Sequence, residues 1–176
     1  MTLSQALTLI SPAAGHVTPT GQAAPGTPQT WADLGCGSGL FTQALAQILP
    51  TGSTIYGIDT NPTLRRQEKP TSIIPIEGDF ITDPLDLPPL DGILMANSLH
   101  YVKDKPALIK KLRDLMHPDS LFLIVEYDMD EPVPTWVPYP VSYNALFGLF
   151  GNIQKLGQRP SVFGRANIYA ALVQAK

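Results

Sequence analysis

Residues 31 to 45 read WADLGCGSGLFTQAL: an apolar run ends in a turn with glycines at positions 35, 37 and 39, and a helical pattern starts directly after it. This turn constrains the chain more than any other stretch. Glycine adopts positive φ at little cost and carries no Cβ, so a backbone built this way bends sharply and lets another group approach closely. Alone, the turn has two readings: a tight strand-to-helix connection that holds nothing, or a cradle for a ligand. Its order is G-x-G-x-G, whereas the dinucleotide fingerprint is G-x-G-x-x-G, with the third glycine one place later.

The surrounding pattern places that turn in a fold. Leu3, Ala6, Leu7 and Ile10 recur at helical spacing behind a Thr2/Gln5 capping box, predicting a short helix over 2–10. Residues 11–29 contain Pro12, Pro19, Pro25 and Pro28 and read as a flexible segment or lid, so the organised body is placed at 30–176. Strands are predicted at 30–34, 53–58, 72–76, 91–97, 121–127 and 168–174. Helices are predicted at 40–49, at 105–116 and over the apolar stripe Ala145, Leu146, Leu149, Phe150 and Ile153, with a brief helical turn after Asn61-Pro62. Strands alternating with helices, with continuous apolar central strands, argue for a three-layer α/β/α, doubly wound, Rossmann-like sheet that is mostly parallel. In that architecture ligands sit beyond the carboxyl ends of the strands, where the glycine turn falls.

Two acids lie at matching ends. Asp59 closes the second strand about 20 residues beyond the last glycine, the spacing at which a carboxylate accepts hydrogen bonds from ribose hydroxyls. Its other reading is a cap for the next turn. Asp79 and Phe80, in EGDF after the third strand, suit an adenine amino group and ring, or equally a turn aspartate beside a core phenylalanine.

The order DLGCGSG, GIDTN, GDF resembles the class I methyltransferases that use S-adenosylmethionine, over roughly residues 30–127. The resemblance implies a seven-stranded sheet with an antiparallel last strand, S-adenosylmethionine as cofactor and S-adenosylhomocysteine as product. It assigns Asp33, Gly35, Gly37 and Gly39 to the methionine part and ribose, Asp59 to the ribose diol, and Asp79 with Phe80 to adenine. Cys36 within the turn, Thr60 beside Asp59, and Asn97 complete the expected cofactor set. Cys36 has no histidine partner in a recognisable motif, so it is read as a small turn residue rather than a nucleophile.

The end of strand four, MANSLHYV, faces the reacting sulfonium in this fold class and nominates Asn97, His100 and Tyr101 as catalytic candidates. Aligning an acceptor for in-line displacement supplies much of such catalysis, and His100 fits the role of base if the acceptor is a hydroxyl or thiol. A structural role for His100 is the competing reading. Glu126, Tyr127 and Asp128 line a pocket or merely end strand five, and Trp136, Tyr139 and Tyr143 offer a wall for a flat or cationic acceptor or pack inward. His16, in the N-terminal segment, would reach the site if that segment closes as a lid. The position that carries (N/D)-P-P-(Y/F) in nucleic-acid and protein amino-methylating members reads Asn97-Ser98-Leu99-His100 here. With a net charge of −3 and no basic block, this points away from nucleic acid and toward a small-molecule acceptor, the competing readings being a non-catalytic S-adenosylmethionine-binding accessory protein and a methyltransferase that acts on a protein or RNA with a partner. No metal is expected. A single cysteine, the lack of a long apolar run and an N-terminus without signal-peptide features point to the cytoplasm, and a monomer or homodimer is the expectation for the assembly, which these features do not decide.

Overall fold

The structure is a computed structural model that describes residues 1–16, 26–162 and 166–175. Seven strands form one sheet in the order β3-β2-β1-β4-β5-β7-β6. They are β1 (Thr30–Leu34), β2 (Thr54–Asp59), β3 (Ser72–Glu77), β4 (Leu90–Ala96), β5 (Met116–Asp128), β6 (Ile153–Pro160) and β7 (Asn167–Gln174). The first five run parallel to one another, β7 runs antiparallel to β5, and β6 antiparallel to β7. From β1 the chain winds outward to β2 and β3, then returns to β4 on the other side of β1. The carboxyl ends of β1 and β4 therefore flank a topological switch point.

Strand period divides the core into two layers. Ala32, Leu34, Ile93, Met95, Phe122 and Ile124 pack on one face, against α3 (Lys105–Arg113) and α4 (Tyr143–Phe150). Trp31, Leu94, Leu123 and Val125 pack on the other, against α1 (Leu3–Ile10) and α2 (Leu40–Ile48). Successive residues of a strand point to opposite faces, so strands covered on both sides read as continuous apolar runs. Helix α1 forms behind the expected capping box, with Thr2 and Gln5 exchanging backbone hydrogen bonds of 3.0 and 3.3 Å, and buries Ala6, Leu9 and Ile10. Among the described residues, no helix is long and apolar enough to cross a membrane.

Several local expectations give way to tertiary contacts. Residues 11–15 form a 3-10 turn that buries Ala13, although the sequence reads them as part of a flexible segment. Residues 17–25 of that expected lid lie outside the described residues.

No helical turn follows Asn61-Pro62. The Thr63 amide donates to Gly37 O at 3.1 Å and Gln67 pairs with Ile73, so backbone groups a helix would use internally are committed elsewhere, and Leu64 is buried beside Cys36 and Ile73.

The expected helix over 105–116 stops at Arg113. Met116 already pairs with Leu90 in the sheet, and Pro118 falls in the irregular stretch before Leu121 pairs with Gly92, a position where a missing amide costs no ladder bond.

The helix expected to reach Ile153 ends at Phe150, where Gly151 takes φ 76°. Ile153 instead opens β6, a strand absent from the direct sequence reading because its mostly half-exposed edge carries little apolar alternation.

Candidate active site

The glycine turn is built by its neighbours. The amides of Gly35 and Cys36 both donate to Ile58 O, at 2.8 and 3.1 Å, which pulls the end of β1 across the end of β2. All three glycines take left-handed φ, +81°, +50° and +81°. They are not equivalent. A Cβ on Gly35 would lie 2.5 Å from Ser98 Cβ, and one on Gly39 would lie 2.1 Å from Leu64 Cδ1, so the packing of the protein itself demands glycine at both. A Cβ on Gly37 would meet nothing within 4 Å. The open face of the turn is at Gly37, whose amide donates to Asp59 Oδ2 at 2.9 Å, while Asp59 Oδ1 accepts from the Asn61 amide at 3.0 Å. The cap reading of Asp59 thus describes real bonds. Each carboxylate oxygen retains a lone pair for a further donor.

Asp33 lies beneath the turn, buried, with Oδ2 accepting from Thr42 Oγ1 of α2 at 2.5 Å and Oδ1 lacking a partner among the described residues. Burial pushes its carboxyl up to about 7, against the lowering effect of the Thr42 bond and with a smaller upward push from the charge of Asp59. The same burial, with Asp33 and Asp59 nearby, pushes the Cys36 thiol up to about 12, which keeps it protonated and unreactive as a nucleophile. Thr60 is exposed beside Asp59. Asp79 holds a turn through Oδ1, which accepts from the Ile81 amide at 2.8 Å, and Lys111 fastens that turn by donating to Asp83 O at 2.6 Å. Phe80 is buried with its ring edge 3.5 Å from where a Gly35 Cβ would stand. Strand ends one to three therefore converge on one place.

At the end of β4, Ser98 donates to Leu34 O at 2.6 Å and ties this corner to the glycine turn. Asn97 takes φ 56°, a left-handed conformation that asparagine tolerates, and its Oδ1 is buried without a partner among the described residues. His100 is buried against Glu126, which is itself fully buried. Nδ1 lies 2.7 Å from Glu126 Oε2 and the His100 amide donates to Oε1 at 3.1 Å. The Tyr101 ring is 4.4 Å from the imidazole and half exposed. Asn97, His100 and Tyr101 all line a cavity of about 670 Å³, whose far wall is Tyr127, Met129 and residues 133–137.

That wall is fastened to the histidine. The Tyr139 amide donates to His100 O at 3.0 Å, and Lys105 Nζ donates to Val102 O and Tyr139 O, both at 2.9 Å. Burial lowers the Lys105 ammonium, partly offset by the charge of Glu126. Thr135 sits in the wall at φ 75°, a strained conformation for a β-branched residue. Of the aromatic wall candidates, Trp136 lines the cavity, whereas Tyr139 lies over Lys105 and Tyr143 packs edge-on against Tyr169. His16 is paired with Gln154 on β6. Asp91, at the opposite end of β4, accepts from the Thr30 amide at 2.8 Å and aligns the start of β1. Among the described residues, no cluster of three His, Cys, Asp or Glu side chains stands ready for a metal.

A family model described as a methyltransferase domain matches residues 11–163. The chain belongs to this methyltransferase family. Among curated relatives, a methyltransferase of Oceanobacillus iheyensis is 29% identical over 93 residues, covering 51% of this chain and 42% of that protein. One of Mycobacterium tuberculosis is 30% identical over 98 residues, covering 54% and 49%. The chain thus spans about half the length of the curated relatives it matches. Solved structures agree in fold. The methyltransferase BpumL of plantazolicin, in complex with S-adenosylhomocysteine, superposes with TM-score 0.65 at 12% identity over 99% of this chain and 85% of that one. The Burkholderia thailandensis 1,6-didemethyltoxoflavin-N1-methyltransferase, with its namesake compound and S-adenosylhomocysteine bound, gives 0.66 at 17% identity over 94% and 77%.

The residues present fit an adenosyl sulfonium with an amino-acid tail in their chemistry: an open glycine backbone at Gly37, the Asp59 carboxylate bonded to it, and a buried Asp33 carboxyl oxygen with no partner among the described residues. Sequence reasoning left Glu126 undecided and missed Lys105 altogether. Lys105 had a signal, since it sits three and four residues before Leu108 and Ile109 on the buried face of α3. Ser161, a lining residue whose buried Oγ has no partner among the described residues, had none.

Proposed function

We propose that this chain transfers the methyl group of S-adenosylmethionine to a small-molecule acceptor. The observation that carries the reading is the open backbone at Gly37, whose amide donates to the Asp59 carboxylate, in a turn whose preceding residue Leu34 is bonded by Ser98, the neighbour of cavity-lining Asn97. On this reading Asp33, Gly35, Cys36, Gly37 and Gly39 hold the methionine part and ribose, Asp59 and Thr60 the ribose diol, Asp79 and Phe80 the adenine, and Asn97 borders both donor and acceptor. When bound, the sulfonium supplies an electrophilic methyl group with a good leaving group. The chain's own residues orient the acceptor and exclude water. A cavity of about 670 Å³ falls in the range of small-molecule sites, and its described lining carries no cationic side chain of the kind a phosphate backbone requires. The bound small compound of the Burkholderia enzyme supports the same acceptor class.

Calorimetric titration with S-adenosylhomocysteine tests the donor side. The wild-type chain binds it and does not bind NADH. Asp59→Ala weakens binding by about 1.5–3 kcal/mol for each charge-assisted bond lost. Unchanged affinity in that variant overturns the assignment of Asp59. Incubation with isotope-labelled S-adenosylmethionine and a metabolite extract then identifies the acceptor, and label appearing only in the macromolecular fraction overturns the small-molecule class.

A further inference from the structure

We propose that His100 and Glu126 form a general-base pair, and that the acceptor is therefore an aromatic hydroxyl compound methylated on oxygen. This rests on the methyltransferase reading above and narrows it.

Glu126 collects three donors, the His100 amide, His100 Nδ1 and the Tyr127 amide, at 3.1, 2.7 and 3.3 Å. As a carboxylate, Glu126 serves such a set only as an acceptor, and on this proposal the proton between the two side chains resides on Nδ1. That fixes the tautomer and leaves Nε2 with its lone pair and with no hydrogen-bond partner among the described residues. His100 lines the cavity. A histidine held only for structure needs neither a second carboxylate oxygen on its amide nor a free nitrogen at a cavity.

The cavity describes the molecule that meets this nitrogen. Tyr101, Tyr127 and Trp136 give it flat aromatic walls, Met129 and Val137 make it apolar, and no described lining side chain is acidic, lysine or arginine. Two lining residues, Asn97 and Ser161, each carry a buried side-chain oxygen with no partner among the described residues, and supply polar character at the rim of an apolar cavity. A neutral ring bearing a hydroxyl and a further polar substituent satisfies all of these. An amine acceptor attacks through its own lone pair and gains less from a fixed base.

In the step so defined, Nε2 takes the hydroxyl proton as the acceptor oxygen forms its bond to the methyl carbon. The carbon–sulfur bond breaks with its electron pair kept by sulfur, and the proton leaves the imidazolium for solvent. Glu126 is a positioning residue that stabilises the imidazolium. The titratable and charged groups facing the imidazole are Glu126, Tyr101 and Tyr127, with Lys105 acting on Glu126.

The test uses 4-nitrophenol, whose neutral and ionised forms absorb differently, bound beside S-adenosylhomocysteine. Wild-type protein ionises the bound phenol at a lower pH than solution does. His100→Gln abolishes that difference and Glu126→Gln reduces it, with S-adenosylhomocysteine affinity unchanged in both as the check on folding. In turnover on a panel of phenols and anilines, phenols are preferred. His100→Gln lowers kcat by about 10²- to 10⁴-fold. Glu126→Gln lowers kcat with little change in KM. Wild-type protein that binds S-adenosylhomocysteine but neither binds nor ionises the phenol, or that methylates anilines alone, overturns the inference. Failure to bind S-adenosylhomocysteine overturns the underlying methyltransferase reading instead. If His100→Gln does not fold, the wild-type ionisation and Glu126→Gln still decide.

Discussion

Asp33 shows how a single carboxyl couples the fold to its ligand. Its proton is held up to about 7 because burial disfavours the charge and the Asp59 carboxylate adds to that, while Thr42 satisfies only one of its oxygens. In the unfolded chain the same group ionises in the ordinary carboxylate range near 4. The folded state therefore binds the proton more tightly, and this residue's contribution to stability is fully present below about pH 4, declines as pH rises, and is lost by about pH 7. Denaturant unfolding across that window should show a shallower decline in Asp33→Asn than in the wild type. On the proposed function, Asp33 would help hold the methionine part, whose ammonium would favour the ionised form. Binding of S-adenosylhomocysteine just below pH 7 should then release protons, read by calorimetry in buffers of different ionisation enthalpy, and Asp33→Asn should release none.

The first strand depends on its neighbour for space. The Trp31 indole is fully buried, with Nε1 donating to Gln29 Oε1 at 2.8 Å, and it fills the volume over Gly92 of β4. A Cβ on Gly92 would stand 2.4 Å from two indole carbons. Gly92→Ala forces the ring off its site and should cost about 1–3 kcal/mol, seen as a lower denaturation midpoint at unchanged m-value. The adjacent Asp91 clamps the Thr30 amide, so β1 and β4, the two strands whose far ends carry the glycine turn and Asn97, are aligned from below. The element boundaries follow the same logic. Helix α3 yields Met116 to the sheet because a parallel partner is available at Leu90, and the path after β2 gives up a helical turn because Leu64 is needed beneath Gly39 and Gly57.

At the scale of the molecule, cofactor and fold stand in mass-action balance. On the proposed function the ligand is held by the ends of β1 to β4 and binds only the folded sheet, so S-adenosylhomocysteine at about 100 times its Kd should add about 2.7 kcal/mol. For a chain of this size that is a rise in Tm of about 5–10 °C. A thermal melt with and without the ligand checks it, and NADH at the same concentration should leave Tm unchanged. The doubly wound architecture, the glycine turn and the acids at the strand ends were legible in the sequence because each is written within a few residues. Glycine at 35, 37 and 39 permits left-handed backbone, the capping box at Thr2 starts α1, and unbroken apolar runs such as LFLIV mark strands covered on both faces. What the sequence could not disclose is which side chains meet across long separations. The pairing of His100 with Glu126, 26 positions apart, the division of the three glycines into two that packing requires and one that faces open space, and the choice of Trp136 over Tyr139 and Tyr143 as cavity wall are set by sheet register and loop docking. Local sterics restrict torsion angles one residue at a time. Contact between distant residues is decided only when the whole sheet has closed its two cores.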